Sequence, residues 1–269
     1  MGKQKTKDII LECVAMIVLA FALSNVPIIR MPYGGNVTAA SMLPIIILSY
    51  RQGLKWGLPS AFIYSGLQLL MGLDHLQEAE GTIQLLEIIF LDYIFAFTVL
   101  GIMGWWRRER PQTTTLIFGA AFVCFLRFVC HVFAGATVWS GVSIPSSDGM
   151  LNSVIYNLAY MIPETVVTVY AITLISLSTN LRLNKPEFVQ KKLTTAAMLY
   201  SLLFMGIAIV ADFIYLFGKI QDKDGFDISL IKSANPMVLG LITVSGMIVS
   251  IVIFFLITVF VDNKNTEYN

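Results

Sequence analysis

Residues 114–140 read TTLIFGAAFVCFLRFVCHVFAGATVWS, a run in which Arg127 and His131 are the only acid–base side chains besides two cysteines. As an α-helix it would extend about 40 Å at about 1.5 Å per residue, more than the roughly 30 Å hydrocarbon core of a bilayer. Its apolar side chains occupy every face, so only a lipid surround solvates it. Working outward, comparable runs occur at 9–29, 83–106, 151–178, 195–218 and 236–261. The stretch 37–73 is also apolar but broken at Ser49-Tyr50-Arg51-Gln52-Gly53, which predicts a short helix over 39–50 and a longer one over 54–73. A short segment inside a membrane is tolerable only if its ends are buried in protein or line a wet cavity. The chain is 57% hydrophobic and 13% charged, against about 45–50% and about 25% in a soluble domain. The fold class is therefore an all-α integral membrane protein of eight segments. No polar stretch is long enough for a soluble domain.

Orientation follows the distribution of Lys and Arg, which concentrate on the cytoplasmic side. With both termini inside, thirteen of the 18 lie in cytoplasmic segments, four in outer loops, and Arg127 within a helix. The loop from Asp74 to Glu80 then lies outside, as does Met31-Pro32-Tyr33-Gly34-Gly35-Asn36, whose glycines and proline forbid a continuing helix. The basic flank and first apolar run read as a retained first helix, since no small-residue cleavage site follows. Cys13, Cys124 and Cys130 form no C-x-x-C pair and have no metal-ligand spacing, so they read as small buried hydrophobes and no metal is expected. The net charge of +1 carries no nucleic-acid footprint.

Ionisable groups inside membrane helices are costly and mark function by default. Five qualify: Asp92, Arg127, His131, Glu164 and Asp212. Asp92 lies nine residues in from the outer end of its helix at 83, and His131 nine in from 140, which puts both at about 13 Å depth. Arg127 and Glu164 are each thirteen residues in from their outer ends, 140 and 151. The counting predicts two layers, an outer site with Asp92 and His131 and a deeper structural ion pair of Arg127 with Glu164. An exchange in which Arg127 pairs with Asp92 is the other arrangement. Arg127, His131, Gly135 and Trp139 recur every fourth residue and so share one face. Gly135 admits a ligand or another backbone, and Trp139 reads either as an aromatic-belt residue or as a stacking partner. Asn152, Tyr156 and Asn157 add amide and phenol groups near the outer surface. Aromatics with one carboxylate suit a flat cation. Asp212 has no partner in this scheme.

Several stretches carry a resemblance. Gly34-Gly35-Asn36-Val37-Thr38-Ala39-Ala40-Ser41-Met42-Leu43-Pro44, Ser49-Tyr50-Arg51-Gln52-Gly53-Leu54-Lys55-Trp56-Gly57-Leu58, Leu91-Asp92-Tyr93 and Leu126-Arg127-Phe128-Val129-Cys130-His131 occur in order, followed by Trp139-Ser140 and Ser153-Val154-Ile155-Tyr156-Asn157. Together they resemble the thiamine-specific S components of energy-coupling-factor (ECF) transporters, over about residues 9–178. The resemblance implies a six-helix S-component bundle over 1–180; the apolar runs 195–218 and 236–261 go beyond those six and make 181–269 a C-terminal extension with two predicted transmembrane helices. It also implies an outward vitamin pocket formed by the loop after the first helix, with Asn36, and by Asp92, Tyr93, Arg127, His131, Gly135, Trp139, Asn152 and Asn157. A pocket tryptophan and glutamate of the family correspond to Gly35 and Ala39, and a pocket tyrosine to Asn152. The small pair that docks the family's first helix on its scaffold is echoed only by Ala20 and Ser24.

On this reading the chain captures thiamine at the plasma membrane, needs no cofactor, and works with a membrane scaffold subunit and two ATPases. It contains no G-x-x-x-x-G-K-[ST] phosphate loop, so ATP hydrolysis falls to partners. No H-E-x-x-H or G-x-S-x-G motif is present, and the chain is not read as an enzyme. Two alternatives remain open here: the same scaffold binding a pyrimidine or thiazole precursor of thiamine, and a stand-alone proton-coupled carrier using Asp92, His131 and Glu164.

Overall fold

A computed structural model of the chain describes residues 6–30, 35–79, 81–106, 112–140, 147–183, 185–188, 193–222, 225–226, 230 and 233–266. Helices dominate: α1 (Thr6–Ser24), α2 (Leu43–Gln52), α3 (Leu54–Met71), α4 (Thr82–Trp106), α5 (Gln112–Ser140), α6 (Ser147–Ser178), α7 (Leu193–Ile220) and α8 (Pro236–Thr266). Five of them, α4 to α8, contain stretches long and apolar enough to cross a membrane. With exposed faces such as Phe118, Phe125, Trp105 and Leu241, they make this an all-α, multi-pass membrane protein. By contact the chain divides into two compact units, one formed by 1–176 with 181–187 and the other by 177–180 with 188–269.

In the first unit the polypeptide departs from the expected first segment. α1 stops at Ser24, and Pro27–Arg30 pairs as an antiparallel strand (β1) with Asn36–Thr38 (β2). Pro27 cannot continue a helix, and the hairpin closes the chain back over the bundle. Residues 31–34 of the predicted loop lie outside the described residues. The short helix predicted over 39–50 is α2, shifted to Leu43–Gln52, and all of its residues after Leu43 are buried. α1, α3 and α4 pack around it, with Met42 just before it and Ile45, Ile46, Leu48 and Tyr50 along it all fully buried. A ten-residue helix survives in a membrane protein because neighbours, not lipid, meet its ends. At the α2–α3 corner Gly53 takes φ 78°, a left-handed value that favours glycine. Beside it, Arg51 pairs with Glu12 of α1 and donates to the carbonyls of Leu181 (2.7 Å) and Leu183 (3.1 Å). Residues 181–187 thereby fold back onto the first unit.

α4 is not uniform. It opens as an α-turn, widens to a π-helix over Ile88–Phe95, and tightens to a 3-10 helix over Val99–Trp106. π-helical stretches are rare and occur frequently at functional sites; this one carries Asp92 and Tyr93. The face of α1 bearing Ala20 and Ser24 turns inward, Ala20 being fully buried and Ser24 reaching toward Gln68. Leu11, Val14 and Val18 form the outward face.

In the second unit α7 and α8 pack antiparallel, as the bonds Thr243 Oγ1 to Asp212 (2.6 Å) and Ser250 Oγ to the Ser201 carbonyl (2.6 Å) require. Asp212 thus has its partner on the neighbouring helix.

Candidate functional site

A cavity of about 230 Å³ opens into the first unit between the ends of α1 and α3, strand β2, and the halves of α4, α5 and α6 that face the same way. The topology explains the convergence. The C-terminal ends of α1, α3 and α5 and the N-terminal halves of α4 and α6 all lie at one end of the bundle. Asn36, Asp92, Tyr93, Arg127, His131, Gly135 and Asn157 all line it. Asn152 does not: it is exposed at the start of α6. The side chain of Trp139 lies outside the described residues.

Asp92 and His131 meet, the carboxylate on Nδ1 of the imidazole. On the other edge of the ring, Arg127 Nε donates to His131 Nε2 at 3.1 Å. One nitrogen faces an acceptor and the other a donor, so the imidazole is fixed as its Nδ1–H tautomer. Arg127 is one helical turn from His131, which lets the bond form within one face of α5. Its guanidinium also lies over the Phe97 ring, 4.3 Å from the centroid. Asp92 keeps 34% of its side chain exposed to the cavity, whereas His131 keeps 7%. The arrangement presents one accessible negative charge, held in place from behind.

The expected Arg127–Glu164 ion pair is replaced by other partners. Glu164, 1% exposed, accepts from the backbone N–H and the hydroxyl of Thr38 (2.6 Å for the latter) and from Ser41 Oγ at 3.4 Å. Arg127 is engaged by His131 and Phe97, and its Nη1 is a buried donor with no hydrogen-bond partner among the described residues. Equal depth along two helices does not bring side chains together unless their faces also match. Here the β2–α2 segment stands at Glu164 and ties the loop after α1 to α6.

On α6, Asn157 donates to the Ser153 carbonyl (2.9 Å) and the His131 carbonyl (3.3 Å), and accepts from Tyr160 Oη at 2.7 Å. Gly135 is where α5 and α6 come close: a Cβ there would lie 2.5 Å from Ser153 Oγ. Tyr93 donates its hydroxyl to the Gly72 carbonyl at 3.3 Å, at the end of α3. Tyr156 and Tyr160 line the cavity with ring centroids 5.6 Å apart, and Tyr160 lies 6.1 Å from the His131 ring. Tyr160, Thr38, Ser41 and Phe97 were not singled out from sequence. The Tyr156/Tyr160 spacing of four carried the same signal as Arg127/His131, whereas Thr38 and Ser41 carried none beyond their place in the Gly34–Pro44 run. No cluster of three or more potential metal ligands occurs among the described residues.

Comparison with known proteins adds a separate line. The family model described as thiamine transporter protein (Thia_YuaJ) matches residues 10–184. The thiamine transporter ThiT of Bacillus subtilis (strain 168) is 28% identical over 157 residues, covering 55% of this chain and 78% of that protein. The family match ends where residues 181–187 rejoin the first unit, so α7 and α8 lie beyond it.

Proposed function

The chain belongs to the family of thiamine transporter proteins, and from that premise we propose that it is the substrate-capture subunit of an ECF-type importer, binding thiamine from outside the cell. The observation that carries this is Asp92, the one carboxylate among the described residues that line the cavity, set there with Tyr93, Tyr156 and Tyr160. Thiamine joins two flat rings through a methylene, and one of them, the thiazolium, carries a fixed positive charge. Asp92 balances that charge, and tyrosine faces attract it. At about 230 Å³ the cavity is below the usual range of about 300 to 1,000 Å³ for ligand pockets, which is too small for a dinucleotide.

The residues at the cavity bind and orient; none of them performs a reaction. Arg127 holds His131, and His131 holds Asp92, so the carboxylate waits in position and little ordering remains for the binding step. Glu164 holds the β2–α2 segment against α6 and so shapes the wall below the mouth. With both termini in the cytoplasm, the orientation the basic residues favour, the mouth faces outward. ATP hydrolysis then comes from two partner ATPases, and a membrane scaffold subunit couples them to this chain. Thiamine itself, and not a precursor, is the ligand we favour, because it carries the charge Asp92 would balance.

Isothermal titration calorimetry of the purified full-length chain with thiamine, and with its pyrimidine and thiazole precursors, tests this. Saturable binding of thiamine in preference to either precursor is expected. No thiamine binding by folded protein would overturn the ligand assignment. Purification of the chain from its native membrane without any ATPase or scaffold subunit would overturn the partner assignment.

A further inference from the structure

Gly35 borders the cavity at the point where β2 begins. Its backbone N–H donates to Tyr156 Oη at 2.9 Å. A Cβ built on it would lie 2.8 Å from that oxygen and 2.8 Å from the Tyr160 ring. Its φ is not among the left-handed values, so the position needs glycine for space and not for backbone freedom. Both tyrosines are 5% exposed and both line the cavity. Tyr160 is pinned from behind by Asn157 and packs its edge toward His131, the residue that carries Asp92. The two rings meet edge to face, 64° apart, and line the cavity between the loop after α1 and the charged centre. Of the other rings at the cavity, Phe97 already carries the Arg127 guanidinium and Tyr93 donates its hydroxyl to the end of α3.

We propose that the Tyr156–Tyr160 ring pair on α6 is the surface that selects a cationic ring, and that Gly35 is the specificity-determining residue that lets the pair close against the loop. This rests on the proposed capture of thiamine and names the residues that read its charge. A side chain on the loop and these two rings cannot share the space. The chain has placed its aromatic surface on a helix, where a hydrogen bond from Gly35 and one to Asn157 hold it rigid.

The test uses full-length protein and two ligands of nearly the same shape: thiamine, and its neutral deaza analogue in which a carbon replaces the charged ring nitrogen. Wild type should prefer thiamine. Tyr160→Leu should weaken thiamine by about thirtyfold, the worth of a desolvated cation–π contact of about 2 kcal/mol, while the neutral analogue loses far less. Gly35→Ala, which removes no ring and spares the fold if Tyr160→Leu does not, should narrow the same preference by displacing the pair. Tyr156→Phe loses the Gly35 hydrogen bond but keeps the ring, and should keep most of the preference. If wild type binds thiamine but Gly35→Ala and the folded Tyr160 variant keep its full preference over the analogue, this inference is overturned and the capture function stands. If wild type binds neither compound, the capture function falls and the inference falls with it.

Discussion

Replacing Asp92 by asparagine removes one charge and little else. The amide oxygen that the change creates can still accept from His131 Nδ1–H, so the chain from Arg127 through His131 keeps its geometry. Two unit charges about 4 Å apart interact by about 4 kcal/mol at an effective dielectric of about 20. Because 34% of the Asp92 side chain is open to the cavity, water competes for it, and about half of that figure survives. The expected loss is about 2 kcal/mol, a roughly thirtyfold rise in the Kd for thiamine. Calorimetry of D92N against wild type reads it directly, and the neutral deaza analogue supplies the control: its Kd should barely move. A thiamine Kd within about twofold of wild type, a difference of less than about 0.5 kcal/mol, would refute the idea that this carboxylate balances the ligand's charge. An equal loss for both ligands would mean that Asp92 acts by shaping the cavity.

Other perturbations follow from the same geometry. Glu164→Gln leaves an amide N–H facing the donors of Thr38 and loses one charge-assisted hydrogen bond, worth about 1.5 kcal/mol; thiamine release should quicken about tenfold in stopped-flow displacement, and an unchanged release rate would show that the β2–α2 segment does not retain the ligand. Arg51→Met breaks the ion pair with Glu12, which keeps its 2.8 Å hydrogen bond from Gln52, and frees the carbonyls of Leu181 and Leu183. Breaking a buried pair costs about 3 kcal/mol at the low end, so thermal unfolding should fall by about 6–12 °C with the thiamine Kd of the folded fraction unchanged. Arg127→Lys keeps the charge but loses the planar stack on Phe97 and the Nε–H bond to His131; thiamine should bind about tenfold more weakly, as expected where the guanidinium is used for its shape.

Membrane residence and helix count were legible in the sequence, because solvation by lipid acts on each segment separately. A run such as 114–140 needs an apolar surround whatever else the chain does. The break at Gly53 was equally local, a single positive φ between two apolar stretches. The meeting of Asp92 and His131 could be reached by counting turns from the membrane surface, since helical rise is constant enough to compare depths. Depth alone could not supply the angle at which each helix presents its side chains. Arg127 and Glu164 match in depth yet bind other groups, because α5 turns Arg127 toward His131 and Phe97 while β2 delivers Thr38 to Glu164. The strand itself, the widening of α4 into a π-helix, and the wall made by Tyr156 and Tyr160 above Gly35 depend on where distant backbone lies. Contacts such as Gly35 with Tyr156 and Thr38 with Glu164 join residues more than a hundred positions apart, and no local pattern encodes them. The sequence by itself determined which segments live in lipid and which charges they carry inward; only the tertiary structure decided what each charge faces, because facing is set by helix rotation and packing and not by the spacing of residues along one helix.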